Sequence, residues 1–234
     1  MSRDSDPVET TEDVQPLAEA PPVEVQSAQA ERLLQTWKTP TGWRYWSSVN
    51  NTDVGLWYTA MTLFFLLFGG VLALLLRIQL AKANNDFLSA ELYNQAFTVH
   101  GSVMMFLFAI PIFEGLAVIL LPQMMGARDL PFPRLSAFGF WCFLLGGIFL
   151  CGSIFFDAAP RGGWFMYPPL TSSYQSGIGA DIWLLGFSFI EVAAIAAAVE
   201  MIVGTLKCRP PGMRINLIPL YAWYVLVAAA MILF

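Results

Sequence analysis

The sequence predicts an all-α, polytopic transmembrane helix bundle of five helices behind a disordered acidic tail. Three observations carry this. Hydrophobic residues make up 57% of the chain. Charged residues make up 12%, against about 25% in soluble domains. Five apolar runs follow one another, most of them long enough to cross a bilayer. The mean hydropathy of +0.60 agrees.

The formal charge of -5 belongs to the tail. Residues 1–36 hold eight acids and two arginines, and the remainder is close to neutral. The acidity therefore says nothing about an acidic-protein function, and no basic patch suggests nucleic acid. The tail is rich in Pro, Glu, Ala, Val and Gln without apolar periodicity, which predicts disorder. It lacks the basic and apolar regions of a signal peptide. Leu33, Leu34, Trp37, Trp43, Tyr45 and Trp46, with Lys38 and Arg44, suit a membrane interface. The domain reading is a tail and interfacial segment over 1–48 and a transmembrane domain over 49–234.

Segment I covers about 55–80, with an uninterrupted apolar or Gly stretch from Leu63 to Leu76 and then Arg77. Segment II covers about 92–121, segment III about 135–156 and segment IV about 181–206. Segment V covers about 217–234, and its 18 residues give about 27 Å, barely a span. It runs to Phe234 with no polar residue after it, which predicts a truncated or split polypeptide. Cys142 and Cys151 are nine residues apart, half a turn out of phase on a helix. These two and Cys208 read as small buried hydrophobes.

Basic residues set the orientation. Lys38, Arg44, Arg128, Arg134, Lys207, Arg209 and Arg214 fall on one face, and Arg77, Lys82 and Arg161 on the other. The richer face is cytoplasmic, so the N-terminus is expected there. The loop over 157–180 is then outside.

Five features bear chemistry. His100, the sole histidine, lies about two turns into segment II. An imidazole in hydrocarbon is either bonded to a neighbouring helix or ligates a metal or haem iron. Arg77 alone reads as a snorkelling anchor. The loop Met125-Gly-Ala-Arg-Asp-Leu-Pro-Phe-Pro-Arg-Leu135 alone reads as a solvated turn. Gly162-Gly-Trp-Phe-Met-Tyr-Pro-Pro-Leu170 alone reads as an interfacial loop, with Pro-Pro favouring an extended path. Glu114, Glu191 and Glu200 are carboxyls at membrane depth. Glu191 sits near the middle of segment IV, and Glu114 and Glu200 sit near the cytoplasmic ends of their segments. Such acids line a proton or ion path, or else reach the interface and are solvated.

Taken together, T-V-H-G-S-V-M-M-F, G-A-R-D-L-P-F-P-R-L, G-G-W-F-M-Y-P-P-L-T and C-R-P-P-G-M before P-L-Y-A-W resemble subunit I of the haem–copper oxidases. The similarity is to the A-type group, typified by cytochrome c oxidase, and covers about 49–234. It implies the first five helices of a twelve-helix subunit. His100 would be an axial ligand of the low-spin haem, haem a. Arg77 in L-L-R-I-Q-L would lie beside its formyl group, and Trp164 and Tyr167 near its propionates. Asp129 would stand at the cytoplasmic mouth of a proton channel. Where the family carries channel asparagines, this chain has Val118, Ser136 and Glu200. Where the family shows an Asp-His-Lys-like motif, it has Asn50-Asn51-Thr52-Asp53. Glu114 and Glu200 are therefore expected to help carry protons.

The resemblance also implies what lies elsewhere. The ligands of copper B and haem a3 belong to later helices, so the isolated chain is expected to be inactive. Implied partners are the remaining helices of subunit I, oxidase subunits II and III, cytochrome c and membrane lipid. The implied location is a bacterial inner membrane. The alternatives are a quinol-oxidising relative and a non-catalytic haem-holding or assembly fragment.

Overall fold

The computed structural model describes residues 23–36, 38–172 and 177–234. The chain divides into two units, Met1–Pro40 and Thr41–Phe234. In the first, helix α1 covers Val23–Thr36. This corrects the expectation of disorder for that stretch. Ala28, Gln29, Ala30, Glu31, Arg32, Leu33 and Leu34 are all good helix formers, and no Gly or Pro interrupts them. Residues 1–22 and Trp37 lie outside the described residues.

The second unit is a bundle of apolar helices: α2 (Asn51–Gln79), α3 (Ala90–Ser102), α4 (Ile110–Met124), α5 (Pro133–Gly152), α6 (Gly179–Lys207) and α7 (Leu220–Leu233). No strand occurs among the described residues. A π-helical stretch, Val103–Ala109, joins α3 to α4, so Ala90–Met124 is one continuous membrane-length helix. Among the described residues, four helices are long and apolar enough to span a bilayer. The fifth predicted segment is the shorter α7, with 14 residues.

Local chemistry sets the ends. The Asn50 side chain accepts the Thr52 N–H at 2.8 Å and starts α2. Ser89 caps α3 in the same way, accepting from the Leu92 N–H. The π stretch ends just before Pro111, which has no N–H to donate and whose ring crowds the preceding turn. At the end of α4, Gly126 adopts φ +65°. The N–H of Ala127 reaches the Pro122 carbonyl at 2.8 Å, and that of Gly126 reaches Gln123. This Schellman turn aims the following loop back toward the start of α2.

Glycines let the helices meet. A Cβ on Gly115 would lie 3.3 Å from the Gly55 carbonyl, and one on Gly146 would lie 2.6 Å from the Gly186 carbonyl. So α2 packs on α4, and α5 on α6, backbone against backbone. Between α2 and α5 sits an aromatic core in which Tyr58 stacks on Phe143 at 5.2 Å and meets Phe140 edge-on. A second core of Val118, Leu121, Ala198, Met201, Ala222 and Val225 joins α4, α6 and α7. Tyr45 and Trp46 pack on Trp57, so they belong with the bundle. Cys142 and Cys151 are buried, whereas Cys208, at the cap of α6, is half-buried.

Candidate functional site

Two sites lie toward opposite ends of α2 and the continuous α3–α4 helix. At one end is His100. Its Nδ1 lies 2.9 Å from the carbonyl oxygen of Gly69 on α2. A carbonyl only accepts, so Nδ1 carries the proton and the Nε2 lone pair is left free. A ring held this way can offer Nε2 to a metal, and such a donor fits a haem iron. Gly69 eases the approach, because a Cβ there would sit 2.8 Å from the Met104 sulfur and 3.2 Å from Val103 Cγ1.

The α5–α6 loop closes over the next residue. A Cβ on Gly101 would lie 2.9 Å from the Trp164 ring. The Gly163 N–H donates to Thr98 Oγ1 at 2.9 Å, and the Thr98 hydroxyl donates to the Asn94 carbonyl. Trp164 then meets Phe106, Phe106 meets Phe187, and Phe187 stacks on Trp183. Trp183 Nε1 donates to Ser102 Oγ at 2.9 Å. Tyr167 is exposed and touches Phe165 rather than this wall. Arg77 is exposed and has no ion-pair partner among the described residues. It lies seven residues beyond Gly70, on the same face of α2 and about 10 Å further along. No heavy atom lies within 4 Å of a Cβ placed on Gly70. Farther out, Arg161 pairs with Glu91, and Gln95 donates to Asp157.

At the other end is a cluster of acids. Asp129, in the loop after α4, accepts the Asn51 N–H at 3.1 Å. Burial pushes its carboxyl above the ordinary aspartate range; that N–H and Arg128 oppose the shift, and Asp53 adds to it. Asp53 accepts from Ser48 Oγ at 2.7 Å. Glu200 on α6 is 0% exposed, and the Ser136 hydroxyl of α5 donates to its Oε2. Asn51, also 0% exposed, lies beside this carboxyl. Glu114 on α4 is 7% exposed and lies against the Tyr58 hydroxyl. Oε1 of Glu114, Oε1 of Glu200 and the side-chain Oδ1 and Nδ2 of Asn51 have no hydrogen-bond partner among the described residues.

Both Glu114 and Glu200 are thus inside the bundle, not solvated at an interface. The structure brings Asp129, Ser136 and Glu200 together through Asn51, and leaves Glu191 half-buried at mid-helix, away from them. Sequence reasoning missed Asn51 and Tyr58 as members of this cluster. Their signal was available: they are seven residues apart, which aligns them on one face of α2.

Residues 53–234 match the family model described as "Cytochrome C and Quinol oxidase polypeptide I". The chain belongs to that family. Cytochrome c oxidase subunit 1 of Bacillus subtilis (strain 168) is 41% identical over 192 residues, which is 82% of this chain and 31% of that protein. Cytochrome c oxidase subunit 1 of Corynebacterium efficiens is 38% identical over 198 residues, 84% of this chain and 34% of the relative. A probable cytochrome c oxidase subunit 1-alpha of Streptomyces avermitilis is 36% identical over 195 residues, 81% and 33% of the two chains. The chain spans about a third of the length of the curated oxidase subunits it matches. It is a multi-pass membrane member of the polypeptide I family, with its histidine and its acid cluster inside the matched region.

Proposed function

We propose that this chain is the haem-bearing first part of the catalytic subunit of a proton-translocating terminal respiratory oxidase. His100 would hold the iron of a low-spin haem, haem a, through its free Nε2. The observation that carries this is the His100 Nδ1 bond to the Gly69 carbonyl, which frees Nε2 within a family named for cytochrome c and quinol oxidation. A haem held there supplies one-electron chemistry at its iron. The chain's own residues do the rest. Gly69 fixes the imidazole's tautomer and direction, and Gly101 and Trp164 seal the turn beside it. Arg77 offers a positive charge two turns along α2 from Gly70, where it favours added electron density on the haem. Trp164 and Tyr167 belong to the loop that would face a haem held there.

At the opposite end, Asp129 takes protons from the cytoplasm, and Asn51, Ser136 and the carboxyls Glu200 and Glu114 carry them inward. Haem a3 and copper B, the second ligand of the low-spin haem, oxidase subunits II and III and cytochrome c complete the machine from outside this stretch. Isolated residues 1–234 are then inactive in oxygen reduction. The domain spans 49–234 in a bacterial plasma membrane, with the N-terminus in the cytoplasm.

A quinol donor is the second reading, favoured by the breadth of the family description. The test of the haem assignment is His100→Ala in the full-length subunit. The low-spin haem absorbance is expected to disappear while the protein still inserts in the membrane. Retention of that absorbance would remove His100 as a ligand.

A further inference from the structure

The turn that carries His100 is not held by its own helix alone. It is the last turn of α3, and the π stretch begins directly after Ser102. At that junction the Val103 N–H is shared between the His100 and Val99 carbonyls. Such shared bonds mark helix ends, and a π stretch does not continue the α-helical register. Anchors outside α3 set the register instead, on two faces. Two residues along a helix make a rotation of about 200°, so His100 and Ser102 point to opposite sides of α3. On one side the Gly69 carbonyl of α2 takes the imidazole. On the other the Trp183 indole of α6 donates to Ser102 Oγ at 2.9 Å. Both ends of that bond are buried. The indole is itself seated. Its ring lies on Phe187 at 4.7 Å with 7° between the planes, and Phe187 meets Phe106 edge-on at 4.6 Å. So α6 grips the chain on both sides of the α-to-π junction, at Ser102 and at Phe106.

We infer that Trp183 is a positioning residue for His100, acting through its bond to Ser102 to fix the rotation of α3 and with it the plane of the imidazole. This rests on the haem-ligand reading above. The Gly69 bond fixes one point of the ring, Nδ1. One bond leaves the last turn of α3 free to roll about its axis, and any roll carries the ring with it. A second anchor on the far face removes that freedom. The direction of Nε2 then depends on α6 as well as on α2. An indole suits the task, because it is a donor only and carries no charge, so the bond does not change with pH. A bond that merely joined α6 to α3 would affect how much protein assembles and leave the orientation of the ring alone.

The test uses the full-length subunit in the assembled oxidase, with every signal normalised to haem content. Electron paramagnetic resonance of the oxidised low-spin haem reports the orientation of its axial imidazole, and a redox titration reports its potential. Trp183→Phe keeps the stack on Phe187 and removes the N–H. Ser102→Ala removes the acceptor and leaves the indole in place. Each is expected to shift the low-spin g values and the midpoint potential, both variants in the same direction. The double variant is expected to shift them no further, because both changes break one bond. An unmoved resonance and potential in the two single variants overturn the inference, whatever happens to the yield of assembled protein. Shifts that add in the double variant overturn it too. So does a shift confined to Trp183→Phe, which assigns the effect to the ring stack. His100→Ala separates the two readings. If it abolishes the low-spin haem while the Trp183 and Ser102 variants are silent, the ligand reading stands and this inference falls. If it leaves the low-spin haem in place, both fall.

Discussion

The two ends of α2 and its partner, the α3–α4 helix, solve opposite problems with the same helices. At the histidine end, the polar groups around the ring are matched: Nδ1 to a carbonyl, the Thr98 hydroxyl to a carbonyl, a loop N–H to Thr98, an indole N–H to Ser102; farther out, the buried Oε1 of Gln95 has no partner among the described residues. Each of these contacts involves a backbone group or an uncharged side chain, so that end is fixed in one arrangement. At the acid end, two buried carboxyls and a buried amide keep polar atoms unmatched. Such atoms cost about 1–3 kcal/mol each and are seldom retained without a use. One end is built to hold a ring still. The other gathers buried carboxyls that, on the proposed reading, carry protons.

The comparison breaks most visibly at Gly69. A Cβ there stands 2.8 Å from the Met104 sulfur and 3.2 Å from Val103 Cγ1. Alanine displaces a flexible thioether. Valine adds two methyls against a buried, branched neighbour, and such overpacking costs about 1–3 kcal/mol. Gly69→Val is expected to part α2 from the π stretch and lengthen the Gly69–His100 bond. Most of the low-spin haem absorbance should be lost, with Gly69→Ala intermediate. The acid end should be untouched, with uptake per assembled haem unchanged. A full low-spin spectrum in Gly69→Val would show that the carbonyl does not hold the ring.

A smaller effect sharpens the acid end. The Asp129 carboxyl is raised in the folded protein by burial, so the native state holds its proton more tightly than the unfolded chain does. The unfolded state binds fewer protons in that window, and stability falls as pH rises from the ordinary aspartate range through the raised value. Asp129→Asn removes this slope. Thermal unfolding of the full-length subunit in detergent should therefore show a weaker loss of stability with rising pH in the variant. Parallel profiles in the two proteins would mean that the loop is open enough to screen the charge.

The bundle was legible because membrane length and apolar composition are one-dimensional properties. Segments I to IV correspond to α2, the α3–α4 helix, α5 and α6. Segment V corresponds to α7, which starts directly after Pro219. His100 stood out as a single imidazole in hydrocarbon. Its partner did not, because Gly69 acts through a carbonyl that any residue carries. Asp129, Ser136 and Glu200 were visible as residue types, but their meeting depends on how α5 packs on α6. Asn51 and Tyr58 were hidden for a different reason. Both read as ordinary first-turn and interface residues until the neighbours of α2 are known. The helix over Val23–Thr36 was missed because the acid and Pro content of the whole tail outweighed the local run of Ala, Gln, Glu and Leu.

The smallest expected effect lies at the outer rim of the histidine end. Arg161 pairs with Glu91 and lies 3.8 Å from Asp157, tying the α5–α6 loop to the start of α3. The pair is substantially exposed, and exposed pairs contribute about 0–1 kcal/mol and weaken with salt. Arg161→Gln should lower the unfolding temperature of the full-length subunit only slightly at low ionic strength. Raising the salt should erase the difference. The low-spin haem spectrum should not move, because Trp164 is seated by the Gly163–Thr98 bond and by Gly101, not by the arginine. A shifted haem spectrum in Arg161→Gln would mean that the rim charge, and not the backbone bond beneath it, sets the loop against α3.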